Sequence, residues 1–533
     1  MNQLIVFLAF LVIAQFSVAR LLTPIENYKR CNIHLSGQPI SLNGETEKKI
    51  IRGEVDPIKE CEKVLGAGFL NPQGYLANDT KKSRAVLKTM FSFHRNWFEV
   101  NTIEQIQGYN EETGRGTLDH YDPNEPALTL TRSLFLPGAK YKDAVTASSG
   151  VKAIREEDLK ITQKFGYLQL NEHGSKMDTA MRRIYVTMDS TKQVSFRNPQ
   201  DSFEGFSTLR RPEDFALPTF IQIGDLTGIV PRTDSTVATN VYLTPVDGNG
   251  VVNSGHLIPG LDQNPDMFKS QGGGVLGTPI FYMMNSGHPN ATRSNGAAKL
   301  PRRWIKNAME SLLCSTFPSL RESDITPYYV GNSTTPFRNG KSCLQCHATM
   351  DQAATAGRNL MVGATDYVNL VYKNPAKPEE NLDSLTKYPL TMVNFKPTLA
   401  PLANWPSEPI DNFHLQQPTG DLYFRSQSGL LINRRVANIA ELGQAFSETD
   451  DYYVCAAKRY FKYFTGVDVA LYDKTNPLNA SVNRNLTNKD KEFRSYVEKI
   501  GMELKSHQSL AKLIKAIMSS KYYKTSDPQS EDN

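Results

Sequence analysis

Past an apolar run at its very start, the chain has no hydrophobic stretch long enough to cross a bilayer, so no transmembrane span is expected in the remainder. It has no basic run of the kind that binds nucleic acid, and sixty Lys and Arg against fifty-five Asp and Glu leave a net charge of only +5, too small to argue for or against an acidic partner. Several catalytic signatures are missing: there is no G-x-S-x-G elbow, no H-E-x-x-H zinc helix, no Walker loop and no dinucleotide fingerprint. Cysteine is scarce, with six in 533 residues. What is present is an ordinary globular composition, in a chain too long for one small core; two to four domains is the expectation for this length.

The start of the chain reads as a secretion signal over residues 1–19. Leu4 to Ala14 is unbroken apolar sequence, and Ser17-Val18-Ala19 offers small residues for cleavage before Arg20, although no Lys or Arg precedes the run. No cysteine follows directly, which argues against a lipid anchor. The expected compartment is therefore periplasmic or extracellular. An even set of cysteines suits bridges in such an oxidising space. Cys343 and Cys346 form one close pair, and the other four allow three pairings, of which Cys31 with Cys61 and Cys314 with Cys455 is preferred over buried free thiols.

Periodicity is mostly helical. From Ser83, the residues Val86, Met90, Phe93 and Trp97 make one apolar face; after Pro301, Trp304, Ile305, Ala308, Met309, Leu312 and Leu313 repeat at threes and fours. Leu510, Leu513, Ile514, Ile517 and Met518 form a third stripe. A fourth helix should start at Thr449 or Asp450, bury Val454, Phe461 and Phe464, and stop at Gly466. The acidic cluster Glu448 to Asp451 reads as a helix start rather than as paired catalytic acids. From about Asn198 to Gly274 the sequence is rich in Pro, Gly, Asp and Thr, and Gly272, Gly273 and Gly274 read as a flexible joint. The fold expected is mainly α, multi-helical and loop-rich, with a few short strands in the middle region. Its divisions are an N-terminal helical domain over 20–197, a loop-rich connection over 198–274, a third region over 275–430 and a C-terminal helical domain over 431–533.

The third region carries Cys343-Leu344-Gln345-Cys346-His347, a C-x-x-C-H pattern. Two thiols three positions apart can each add to one porphyrin vinyl group, and the adjacent histidine can then hold the iron as proximal ligand. A structural zinc site would want a second such pair, and none exists. A thioredoxin-like motif would want a preceding strand, where Pro336 to Gly340 reads as a turn. The expected cofactor is one covalent haem c, on Cys343, Cys346 and His347, which makes 275–430 a haem-binding cytochrome c-like region. A second C-x-x-C-H is absent, which argues against a di-haem peroxidase. For the distal position, Met350 is too near His347 and Met361 only fourteen residues on; Met392, in Tyr388-Pro389-Leu390-Thr391-Met392 and forty-five residues past the histidine, resembles the Pro-x-x-Met loop of small class I cytochromes c. His414 and an open position remain alternatives, as does Met392 as plain core. Arg358 is a candidate partner for a haem propionate, with a surface arginine as the other reading.

On these residues the chain resembles the planctomycete-type cytochromes, large exported single-haem proteins built from several domains of unknown function. Gly274-Val275-Leu276-Gly277-Thr278-Pro279, then Pro301-Arg302-Arg303-Trp304, Leu312-Leu313-Cys314, Phe337-Arg338, the C-x-x-C-H block, Met350-Asp351 and Gly357-Arg358 are similar to that family's central block. Ile439 to Leu442, Asp450 to Cys455, Arg459-Tyr460-Phe461 and the ending Ile517 to Tyr523 resemble its last helical domain. Leu35 to Pro39 and the helix reaching Trp97-Phe98 are a weaker match to its N-terminal block. The chain departs where the family often has Asp-Pro after the haem histidine and here has Asp351-Gln352-Ala353-Ala354. The resemblance implies export, haem c and a mostly helical fold; it implies no reaction. The function expected is one-electron transfer in the bacterial cell envelope with an unidentified redox protein as partner. The alternatives are a haem-dependent oxidoreductase or sensor with an open distal site, or a secreted scaffold stabilised by haem.

Overall fold

Helix ends in this protein follow from capping chemistry. The computed structural model describes residues 20–98, 124–148, 150–155, 165–170, 182–188, 194–197, 225–231, 243–244, 271–285, 301–333, 336–365, 368–374, 377–387, 390–394, 397, 400 and 416–530, with only the backbone described for the strands at 165–197, 243–244 and 361–394. The expected secretion signal at 1–19 and His414 lie outside the described residues.

Helix α1 (Pro24–Ser36) starts with a capping box, in which the Thr23 hydroxyl and the Glu26 carboxylate each bond the other's backbone N–H, and stops at Gly37 in the left-handed region. Helices α2 (Glu45–Ile51) and α3 (Pro57–Ala67) follow, then α4 (Lys81–Arg95), the helix expected from Ser83, which buries Val86, Met90 and His94. Next come α5 (Glu125–Phe135), α6 (Asp143–Thr146) and α7 (Pro279–Asn285). Helix α8 (Arg302–Ala308) has Pro301 as its N-cap and runs into a π-turn, Met309–Leu313, so the apolar stripe read after Pro301 is helical throughout. Helix α9 (Lys341–Ala354) carries the C-x-x-C-H pattern. The C-terminal part contains α10 (Ile439–Glu448), α11 (Asp450–Thr465), α12 (Ala480–Asn485), α13 (Asn488–His507), α14 (Leu510–Ser519) and α15 (Lys521–Lys524). Thr449 caps α11 through its hydroxyl and Gly466 ends it at φ 78°, as the sequence led one to expect.

The described residues are mainly helical, which is the class expected. Strands nonetheless extend beyond the middle region. A pair joins β1 (Val151–Arg155) to β5 (Leu226–Pro231), and a hairpin joins β11 (Gly420–Arg425) to β12 (Leu431–Val436). A five-stranded antiparallel sheet runs in the order β4 (Val194–Arg197), β3 (Arg182–Met188), β2 (Phe165–Leu170), β8 (Val368–Asn374), β9 (Lys377–Lys387). A smaller sheet sets β7 (Leu360–Thr365) between β10 (Leu390–Asn394) and β6 (Leu243–Thr244). Strands β7 to β10 thus follow the C-x-x-C-H helix, in the segment expected to be cytochrome c-like, and such a domain does not follow from the described residues.

One hydrophobic cluster reaches from Tyr28 and Leu35 on α1 through Met90 and Trp304 to Phe464, Ile514 and Tyr523. The two ends of the described chain meet at the surface beside it: the Leu22 N–H donates to the Lys524 carbonyl at 2.7 Å and the Ser526 N–H to that of Arg20 at 2.9 Å. Disulfides join Cys31 to Cys61 and Cys314 to Cys455, the pairing preferred from the sequence. The three consecutive glycines are not a flexible joint. All have positive φ, and a Cβ would lie 2.6 Å from the Ile439 carbonyl oxygen at Gly273 and 2.1 Å from that of Ala144 at Gly274, so the turn is buried between two helices that leave room for backbone alone. Among the described residues no helix is long and apolar enough to cross a membrane.

Candidate functional site

Helix α9 is amphipathic in an unusual sense. Its buried face, Leu344 and Ala348, sits on a small core of its own with Leu320, Ile325 and Tyr423. Thr349 is pinned on that side by the Ser319 hydroxyl at 2.8 Å and by donating to the Tyr423 carbonyl at 2.5 Å. The helical spacing i, i+3, i+4 puts Cys343, Cys346 and His347 together on another face, within an arc of about 100°. There Cys343 is exposed, Cys346 is half-buried and the His347 side chain keeps 25% of its surface open. Both thiols are free, although every other cysteine is in a disulfide. Burial, with a smaller push from Cys343, raises the Cys346 thiol above its ordinary pKa.

Two neighbours hold the histidine, and a third residue holds one of them. A short 3-10 turn, Pro336–Arg338, lays the Phe337 ring flat on the imidazole, with centroids 4.5 Å apart and planes 14° from parallel. Asp351, one turn further along α9 and wholly buried, has both carboxylate oxygens 3.4 Å from His347 Nδ1. Arg302 at the start of α8 grips that carboxylate with two parallel bonds, Nε to Oδ1 at 2.5 Å and Nη2 to Oδ2 at 2.9 Å, and its guanidinium lies 5.3 Å from the Phe337 ring centroid. The turn preceding α9 agrees with the sequence; a βαβ setting for a dithiol motif is not formed by this approach.

Other expected residues fall as follows. Arg358, just past the 3-10 turn Thr355–Gly357 that continues α9, is buried at 1% exposure, so the surface reading of this residue is overturned. Met392 lies on strand β10 opposite Val362 of β7, in a strand and not a loop, and Met361 pairs with Val393 beside it; the side chains of both are outside the described part. Met350 is half-buried on α9. The contacts of Phe337 and Asp351 with His347, and the Arg302 grip on Asp351, were not assigned from the sequence. The i, i+4 spacing of His347 and Asp351 was the one available signal, since it places two residues on the same helix face.

A second polar locus also escaped notice. Asp451, read only as part of a helix start, is 3% exposed and accepts from the Gln427 N–H at 3.1 Å. Burial and the neighbouring Asp450 outweigh that bond and push its carboxyl up to about 7. It lines a cavity of about 220 Å³ together with Arg321, Arg425, Asp473 and Cys314. The two arginines are engaged within the protein, Arg321 with Asp473 and Arg425 with Asp324.

The residues on the open face of α9 fit a c-type haem. The donor set is two unbridged thiols and one imidazole whose Nδ1 faces a carboxylate, which leaves Nε2 as the coordinating atom. Among the described residues, no group of three or more His, Cys, Asp or Glu is placed to hold a metal ion by itself. A porphyrin brings its own four nitrogen ligands and asks for only one protein ligand on this side. No family model, curated protein or solved structure matches the chain.

Proposed function

We propose that this protein carries one covalently bound c-type haem and passes single electrons in the bacterial cell envelope. The observation that carries this reading is the pair of unbridged thiols and the imidazole on one face of α9, in a chain whose other four cysteines are bridged. An oxidising compartment that formed those bridges would also close a bare dithiol, unless both sulfurs are committed elsewhere. Thioether bonds to a haem are such a commitment, and they suit an exported protein. The similarity to planctomycete-type cytochromes supports the same reading.

Cys343 and Cys346 would hold the group and His347 would be its proximal ligand. Arg358, buried just beyond the same helix, is the cation proposed to meet a propionate. Met392 remains the preferred distal ligand, with His414 or an open position as the alternatives. The haem, when bound, supplies a one-electron iron couple whose potential depends on the axial ligands and on the hydrogen bonds behind them. The chain's own residues orient the imidazole, exclude water from the buried face of α9 and present the open face to a redox partner.

The test is intact-mass spectrometry of the exported native protein, followed by optical spectra of the reduced form with and without carbon monoxide. One haem's added mass, lost in Cys343→Ser/Cys346→Ser, is expected. A bare polypeptide mass overturns the reading. Prompt carbon monoxide binding would replace the electron carrier with the haem-dependent oxidoreductase or sensor. Met392→Ala should abolish the methionine-to-iron charge-transfer band; a band that survives removes Met392 as the ligand.

A further inference from the structure

Behind His347 stands an assembly that holding a ring in place would not by itself require. Asp351 has no solvent exposure, yet it is a carboxylate, and a buried carboxylate is tolerated only when paired. It is paired twice, by the Arg302 fork and by the edge of the imidazole that carries Nδ1. A carboxylate can only accept, so the Nδ1 facing it must carry the hydrogen. That fixes the tautomer, and the Nε2 lone pair then points away from Asp351. The 3.4 Å separation is at the long end for such a bond, but both oxygens share it, and the Phe337 stack restricts the ring to rotation in its own plane.

We propose that Asp351 is a positioning residue that sets the donor strength of His347, and that Arg302 limits it; this rests on the haem reading above. A metal-ligating histidine whose other nitrogen donates to a carboxylate is a more basic ligand, and a more basic ligand favours the more highly charged iron. The pull of Asp351 therefore lowers the potential of the bound group. Arg302 shares the same two oxygens and draws their charge away from the ring, so it works in the opposite sense. The pair forms an adjustable second contact to the ligand, built from two helices, α8 and α9. Nothing in the C-x-x-C-H pattern calls for it.

The two substitutions should shift the couple in opposite directions. Asp351→Asn removes the charge at constant shape, and the oxidised-to-reduced equilibrium should move about tenfold toward the reduced form, or about 59 mV upward for one electron. Arg302→Gln frees the carboxylate and should move it severalfold the other way. Asp351→Glu should restore most of the wild-type value. Spectroelectrochemical titration of the purified full chain reads all three. Nitrogen NMR of histidine-labelled, haem-free Cys343→Ser/Cys346→Ser protein gives an independent readout: His347 should carry its hydrogen on Nδ1, and lose that preference when Asp351→Asn is added. Unchanged potentials in haem-bearing variants, or shifts of the same sign in both, overturn the inference and leave the haem reading intact. A wild-type chain without haem sinks the functional reading, and a haem-free His347 hydrogenated on Nε2 overturns this one whatever the haem result.

Discussion

Burial sets the charge of three residues outside α9, and their effects on stability oppose one another. Asp451 is buried, with its carboxyl raised to about 7 from an ordinary value near 3.8. Between those values the unfolded chain gives up the proton and the folded chain keeps it. Stability therefore falls as pH rises through this window and is flat above it. Asp451→Asn keeps the shape and removes the penalty. The variant should be more stable than wild type by about 2–4 kcal/mol at pH 8 and equal to it near pH 3.5, read by urea midpoints across pH. His94 has the opposite effect. Its Nδ1–H donates to the Thr131 hydroxyl at 2.7 Å, because that hydroxyl's own hydrogen goes to the Ala127 carbonyl. Nε2 is thus left to accept from the Tyr460 hydroxyl at 2.6 Å. The neutral ring is satisfied and buried, and burial lowers its pKa to about 3, with His34 lowered to about 4 mainly by the same cause. Folded values depressed below 6.5 mean stability that is whole above pH 6.5 and lost as pH falls below it. Acidification from pH 7 to 4.5 should cost about 2–3 kcal/mol through His94, so the gap between wild type and His94→Gln, the variant being weaker at pH 7, should narrow by that amount at pH 4.5, while the slopes from His34 and Asp451 remain in both.

At the scale of elements, the positions where helices meet are set by backbone contact. Helix α10 presents Gly443 to α6 so closely that a Cβ there would lie 1.9 Å from the Val145 carbonyl oxygen. Glycine inside a helix ordinarily costs about 0.5–1 kcal/mol relative to alanine. Gly66, within α3, has nothing within 4 Å of its Cβ position, so Gly66→Ala should stabilise by about that amount. Gly443→Ala should destabilise by about 1–3 kcal/mol or more, since α10 must move off the backbone it rests on. Thermal unfolding of the two variants in parallel gives opposite signs if the contact is real. The contrast also shows what could be read in advance. The stripes of α4, α8 and α14 and the Thr449 and Gly466 boundaries of α11 are local patterns, legible without a structure. The packing of Gly272 to Gly274 depends on Ile439 and Ala144, far away in sequence, and so resembled a flexible linker. The pairing of β2 with β8 spans some two hundred residues, and nothing in either strand alone announces its partner. At the site the covalent pattern was plain from spacing. Phe337 reaches His347, and Arg302 reaches Asp351, from other elements, and only the folded chain brings them there.

At the scale of the whole molecule, the question is what holds distant parts of the sequence to one core. The cluster containing Tyr28 also contains Tyr523, and the two disulfides tie it at different places. Cys31–Cys61 joins α1 to α3 across 30 residues, within the N-terminal helices. Cys314–Cys455 ties the end of the π-turn after α8 to the middle of α11 across 141 residues, and so connects the part of the chain leading into α9 with the C-terminal helices. Loop-closure entropy grows only with the logarithm of loop length, so the longer bridge is worth little more on that ground, about 5 kcal/mol against about 4. Their structural consequences differ more. Losing the short bridge loosens two helices that pack on each other directly. Losing the long one frees α11, whose Cys455, Tyr460 and Phe464 are fully buried, from the segment that leads to the C-x-x-C-H helix. Cys31→Ser/Cys61→Ser should therefore lower the unfolding midpoint while leaving one cooperative transition. Cys314→Ser/Cys455→Ser should lower it and also split it, with the α9 region losing protection first. Denaturant unfolding followed by hydrogen exchange would show this. A single coincident transition in the second variant would mean that the common core alone couples α9 to the C-terminal helices.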